Sequence, residues 1–420
     1  MILNNMFKYV IKMWKLVVGV LRRLIPPFDI FWIKLTASRR NNVIQKYTPI
    51  SFAEYCQKKA GKLYVIENEQ ERIVYEPAYY NKSEAREHSF LAHSIYVAEL
   101  NNLFAHGGTG LVLSGEHVLT DICANDVDGR VKYVAGAIRR ANDRAFYVET
   151  TEDIDEIECA INLCGLAANN YYHLTVEILS RYEYVRTYLG ERKVPVLIDE
   201  SVSKIPQFKE LTETILADCR IIYVPEYKRV LCKTLIQPSM NTWMPMNVRR
   251  KNDFRICDNL VAESGISNIR NATSKYMIDK VDKKIFISRK NATLSRIVNE
   301  REVCDLFAEN GFEVVCTENL SYREQVELFS SARIIVGASG AAMTNLVYCN
   351  PGTVFGCIIP RKYGFCIYSS IAHMVGCKML NLDAKVVKSK RYISTEQCMV
   401  DMNECKEYLE SLCSLAGDNR

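Results

Sequence analysis

Apolar and polar positions alternate most regularly in the last third of the chain. "KKIFIS" (Lys283–Ser288) reads as a buried strand. "NEREVCDLFAENG" follows as a helix with Val303, Leu306 and Phe307 on one face, Asn299 as its expected N-cap and Gly311 at its C-terminal stop. "FEVVC" is the next strand. "SYREQVELFSSA" is the next helix, opened by a Ser321-x-x-Glu324 capping box. "RIIVG", "TVFGCII" and "KMLNL" add three more strands with helix-length segments between them. Strands separated by such crossovers predict a parallel sheet covered on both faces. A Rossmann-like unit is therefore expected over residues 271–385, followed by a helical segment over 386–420.

The middle of the chain carries a second, less regular set. "GTGLVLSGEHVLT", "RVKYVAGAI", "RAFYVET" and "IECAINLCG" read as strands, and a long helix is predicted from about Asn170 to Leu189. "VPVLID", a helix near Pro206–Ala217 and "CRIIYVP" restore strand–helix–strand order. An α/β unit is expected over residues 60–270. Two α/β units in tandem predict a cleft between them, the usual ligand site of open parallel sheets.

The first 35 residues differ. Lys8, Lys12, Lys15, Arg22 and Arg23 interrupt a very apolar run, so no uncharged stretch reaches the ~20 residues of a spanning helix. On a helical wheel the five cations share about a third of the circle, and Phe7, Val10, Ile11, Trp14, Val17, Val18 and Leu21 fill the rest. Pro26-Pro27 is expected to end the helix. Charges threaded through the apolar block do not make a signal peptide. The pattern suits a helix lying in an anionic headgroup layer; a helix docked on the protein's own body is the competing explanation.

Composition adds limits. With 420 residues, 48% hydrophobic and 25% charged, the chain is long enough for two domains with sizeable cores. A net charge of +5 is too diffuse to suggest a nucleic-acid partner. The sixteen cysteines form no C-x-x-C pair, and most sit among apolar residues, where a thiol acts as a small hydrophobe. A reducing cytoplasm is the expected compartment, and the sequons at Asn81, Asn271 and Asn291 then carry no meaning.

Three constellations carry chemistry. In "IIVGASGAAMTNLVYCNPGTV", Ser339, Gly340 and Ala341 stand where a strand hands over to a helix that includes Asn345. The free N–H groups of such a helix start favour an anion; tight helix-on-sheet packing also explains the small residues. In "FISRKNATLSRIVNE", Ser288, Arg289, Lys290 and Arg296 follow a strand at the sheet's carboxyl edge. Guanidinium groups grip phosphate oxygens in pairs; a solvated basic loop is the alternative. In "NNYYHLTVEILSRYEYV", His173, Glu177 and Arg181 form an i, i+4, i+8 row. A carboxylate one turn from an imidazole orients it and raises its basicity, as a general base requires. A surface ion-pair row has the same spacing.

These stretches, with "GFEVVCTENLSYREQVELFSSARIIVGASGAAMTNLVYCNPGT", resemble glycosyltransferase family 61, which includes plant xylosyltransferases, animal O-glycan enzymes and bacterial capsule-associated proteins. The resemblance runs from about Ala160 to Pro360, with Glu318, Leu320, Gln325, Ala332, Gly340, Ala341 and Asn345 in step. It implies a GT-B-like architecture of two Rossmann-like domains facing a cleft, and inversion at the anomeric carbon. It also implies a nucleotide-sugar donor held by Ser288, Arg289, Arg296, Glu318, Ser339, Gly340, Ala341 and Asn345, with no essential metal or cofactor. Between Ala160 and Pro360 the sequence has no DxD motif, which agrees with that. Many members read His-Gly-Ala at the turn where this chain has Ser339-Gly340-Ala341, and serine supplies neither charge nor a base. His173, oriented by Glu177, is then the expected base. The reading is a cytoplasmic enzyme at the inner membrane surface that builds surface polysaccharide on a glycan or lipid-linked acceptor. A non-catalytic nucleotide-sugar-binding subunit and a pyruvyl or phosphosugar transferase are the alternatives.

Overall fold

A computed structural model describes residues 13, 16–21, 26–59, 61–122, 126, 128–245, 248–249, 254–291, 296–388 and 396–417. The chain is mixed α/β, as expected, with two large sheets.

The six-stranded sheet runs in the order Glu313–Val315, Lys283–Ile287, Ala332–Ala338, Val354–Ile358, Lys378–Leu382 and Ala78–Tyr79, parallel throughout. Val354–Ile358 is buried along its whole length, which is why this region reads as unbroken apolar runs rather than alternation. The helix Met402–Leu415 seals one face: Tyr408 donates its hydroxyl to the Leu380 carbonyl at 2.8 Å. Gly356 makes room for it, since a Cβ there would stand 2.3 Å from the Tyr408 oxygen. Ala78–Tyr79, from the region assigned to the first α/β unit, extends this second sheet instead.

Local signals around the sheet act largely as read. Ser321 and Glu324 form the reciprocal capping box at the helix Tyr322–Ser330. Gly311 takes a left-handed φ of +81° just past the helix Glu300–Glu309. Asn299 stands at the expected N-cap position but does not cap with its side chain. Its amide is spent on both backbone groups of Val400.

The larger sheet has eleven strands. Its parallel block runs Ile221–Val224, Val196–Asp199, Ile154–Asn162 and Arg229–Pro238, and the long strand Ile95–His106 joins antiparallel to the last of these. From there short strands lead to Asn42–Ile50 and Phe146–Thr151. Val112–Leu113 and His117–Leu119 form two short strands inside "GTGLVLSGEHVLT". "RVKYVAGAI" is mostly irregular before Ile138–Ala141.

The predicted helix from Asn170 to Leu189 is present over residues 171–189, but it is not α-helical throughout. It widens to a π-helix over His173–Ile178, tightens to 3₁₀ over Leu179–Arg181, and is α-helical over Tyr182–Leu189. Wide turns of this kind are frequent at functional sites.

At the amino terminus, Lys8, Lys12, Lys15, Arg22 and Arg23 lie outside the described residues, so the predicted amphipathic face does too. Residues 16–21 are helical, with Leu16 and Val17 exposed. Pro26 opens a second helix, Pro26–Ser38, at the position where its missing N–H costs nothing. Among the described residues no helix is long and apolar enough to cross a membrane. Every described cysteine is a free thiol.

Candidate functional site

Strand register brings the basic loop and the glycine turn together. In the six-stranded sheet Ile287 lies beside Gly337 on one side and Val315 on the other. The chain therefore leaves three neighbouring strands at one edge, releasing Ser288–Arg289, Thr317–Glu318 and Ser339–Ala341 side by side. Connections depart in opposite directions from Lys283–Ile287 and Ala332–Ala338, so the crevice between these two strands is the topological switch point where ligands of open α/β sheets bind.

The side chains there are cationic and close. Arg289 presses its guanidinium on Gly340, where an added Cβ would sit 1.9 Å from Nη1. Arg296 reaches Ser339 Oγ at 3.5 Å. Burial, and next the charge of Arg296, hold the Arg289 guanidinium below its ordinary pKa, against the opposing pull of Tyr368, Glu300 and Glu318. Two like charges kept near each other in a half-buried crevice are relieved by an anion. Ser339 is buried, and Ala341, partly exposed, begins the 3₁₀ helix Ala341–Tyr348. Glu318 is exposed beside this edge.

Two supports were not visible in the sequence pattern. Glu300 accepts from Ser288 Oγ at 3.2 Å and from the Arg289 backbone N–H, which shapes the loop that carries the guanidinium. Tyr368 donates its hydroxyl to the Gly340 carbonyl at 2.6 Å and orients the turn. Both belong to helices whose sequence gives no sign of where they will dock.

Asn345 lies in the helix that follows the turn. It is fully buried, accepts from the Tyr171 hydroxyl at 2.6 Å and donates to Gln325 Oε1 at 2.8 Å. Gln325 in turn bonds the carbonyls of Thr317 and Leu320. The amide thus ties the segment before His173 to the loop that bears Glu318.

His173 and Glu177 meet, Nδ1 to Oε2, at 2.6 Å. Burial pulls the imidazole pKa down, but the charge and hydrogen bond of Glu177 outweigh it, and the net shift is upward. With Nδ1 committed, Nε2 is left to exchange a proton. Arg181 is not on the surface: it is 6% exposed, and its Nη1 points to the Pro238 carbonyl at 3.5 Å. Burial lowers its pKa to about 10 despite Glu177. Tyr172 lies between the two clusters. Its ring stands edge-on to His173 at 5.3 Å, and its hydroxyl feels both Glu177 and Tyr368.

The two sheets also join at this edge. Gln207 donates to the Glu318 carbonyl at 3.1 Å, and Glu210 accepts from the Tyr322 N–H at 2.8 Å at the start of its helix. Among the described residues, no three His, Cys, Asp or Glu side chains gather as a metal cluster.

No curated protein sequence matches the chain. The family model described as Glycosyltransferase 61 matches residues 171–356, a span holding the His173–Glu177 pair, both arginines and the Ser339–Ala341 turn. Through that segment, less than half of its 420 residues, the chain is similar to glycosyltransferase family 61, and the match indicates glycosyltransferase activity.

Proposed function

We propose that the chain is an inverting, metal-independent transferase that moves a sugar from a nucleotide-sugar donor to a glycan or lipid-linked acceptor in the making of a surface polysaccharide. The observation that carries the proposal is the convergence of Arg289, Arg296 and the Ser339–Gly340 turn at the switch point of the parallel sheet. That arrangement suits a diphosphate, and the arginines supply the positive charge that a metal ion gives elsewhere.

In the step proposed, an acceptor hydroxyl oxygen attacks the anomeric carbon and forms the new C–O bond. The bond to the diphosphate breaks, and its electron pair leaves on the phosphate oxygen facing Arg289 and Arg296. His173 Nε2 takes the hydroxyl proton while Glu177 holds the resulting imidazolium. The bonds between Gln207 and Glu318, Glu210 and Tyr322, and Tyr171 and Asn345 support a GT-B-like arrangement with facing edges. An acceptor-side domain over residues 60–270 and a donor-side domain over 271–385 follow, with Ala78–Tyr79 contributed to the second. Exposed Leu16, Val17 and Phe31 favour peripheral attachment to the inner membrane face.

Ser339 in place of the usual histidine favours a second reading, a subunit that binds nucleotide sugar without turning it over. A thermal-shift screen over nucleoside diphosphates and their sugars, followed by assay of donor consumption, separates the two. Stabilisation with turnover supports the enzyme, stabilisation alone supports the subunit, and neither removes the donor site.

A further inference from the structure

A cleft of about 150 Å³ opens in the larger sheet, at the carboxyl ends of Ile154–Asn162 and Arg229–Pro238. Trp243, Tyr133 and Met240 line it together with Glu177 and Arg181. Glu177 is shared: Oε2 holds His173, whereas Oε1 is buried without a hydrogen-bond partner. Arg181 Nε, on a side chain more than nine-tenths buried, is likewise unpartnered. Buried polar atoms of this kind cost free energy until a ligand or water satisfies them.

From this we infer that the cleft receives the terminal ring of the acceptor and that this ring is an uncharged sugar. The inference rests on the transferase reading above. Three observations support it. A ~150 Å³ apolar cavity is large enough for a six-membered ring, as engineered cavities that hold benzene show. The lining is mostly apolar with a few convergent polar groups, the usual make-up of a small-molecule site; a pyranose offers C–H faces to Trp243 and Tyr133 and hydroxyls to Glu177 and Arg181. Finally, the charges cancel: Lys132 and Arg181 face the same cleft as Asp121 and Glu177. Among the described residues, a sugar carboxylate or phosphate would bring in a charge that this balanced lining does not offset, which burial penalises. Glu177 thus lines the cleft and also holds the imidazole of His173.

Trp243 makes the inference testable, since the chain has three tryptophans and the other two are Trp14 and Trp32. In a full-length Trp14→Phe/Trp32→Phe protein, methyl β-glycosides of glucose, galactose, mannose, N-acetylglucosamine and glucuronic acid are titrated against Trp243 emission. At least one neutral glycoside should give a saturable shift, and the glucuronide none. Met240→Arg, at a position 37% exposed, should weaken that binding at least about tenfold without lowering the melting temperature. No saturable response to any neutral glycoside, or equal binding of the glucuronide, overturns the inference. Calorimetry with nucleoside diphosphates on the same protein tells the two failures apart. Nucleotide binding without glycoside binding condemns only the cleft; loss of both condemns the reading beneath it.

Discussion

Arg289 occupies space that Gly340 leaves empty: a methyl group on residue 340 would stand 1.9 Å from Nη1 of the guanidinium. The backbone of Gly340 is extended, so its φ puts no demand on glycine. What the position requires is the close approach of a charge to the turn, and that makes the contact separable from folding.

Gly340→Ala should therefore spare the fold and damage the site. The displaced atoms are the far end of a flexible side chain, so unfolding free energy should change by no more than about 1 kcal/mol. Moving the guanidinium off the turn removes a charged hydrogen-bond donor, and nucleoside diphosphate affinity should fall roughly 10- to 100-fold. Paired denaturation and calorimetry check this. Unchanged affinity would mean that the ligand does not meet Arg289 over this turn.

The base prediction concerns pH. His173 must be neutral to accept a proton, and although burial lowers its pKa, Glu177 lifts it above the usual 6.5. The rate should accordingly drop as pH falls through that raised value. Glu177→Gln removes the lifting charge and leaves burial, so the acid limb should move to lower pH while the plateau declines. His173→Ala should lose about 10²–10⁴ in turnover and keep nucleotide binding. A His173→Ala enzyme with half its turnover, or an acid limb that Glu177→Gln fails to move, excludes the dyad.

A third expectation is structural. Tyr171→Phe leaves Asn345 Oδ1 buried without the hydroxyl that serves it at 2.6 Å. Urea unfolding should show a loss of about 1–3 kcal/mol, with nucleotide affinity within about twofold of wild type. A large affinity loss at full stability would instead place Asn345 against the donor.

The sequence disclosed the six-stranded sheet better than the eleven-stranded one for a physical reason. Strands such as Val354–Ile358 are covered on both faces and read as bare apolar runs between capped helices. Ile95–His106, which the pattern missed, carries Asn101 and Asn102 in its middle, the latter at a left-handed φ of +55°. Arg229–Pro238, also missed, mixes a lysine into its apolar run and ends on proline. The partnership of Ala78–Tyr79 with Lys378–Leu382 joins segments about three hundred residues apart and leaves no local trace.

At the site, residues that follow strands were legible because the crevice rule says where strand ends matter. Arg289 and Ser339 came from that rule. Tyr368 and Glu300 did not, because helix docking brings them in. The π-helical opening at His173 has no spacing signature either, although it leaves the pair with Glu177 intact.

Calorimetric titration of UDP, GDP, CDP and TDP into wild type, Arg289→Ala and Arg289→Lys tests the central claim most directly. One diphosphate should bind the wild type, lose most of its affinity in Arg289→Ala, and stay impaired in Arg289→Lys, because a point charge does not reproduce the guanidinium fork. Equal affinities in all three proteins would contradict the assignment of Arg289 and the Gly340 turn as the diphosphate clamp.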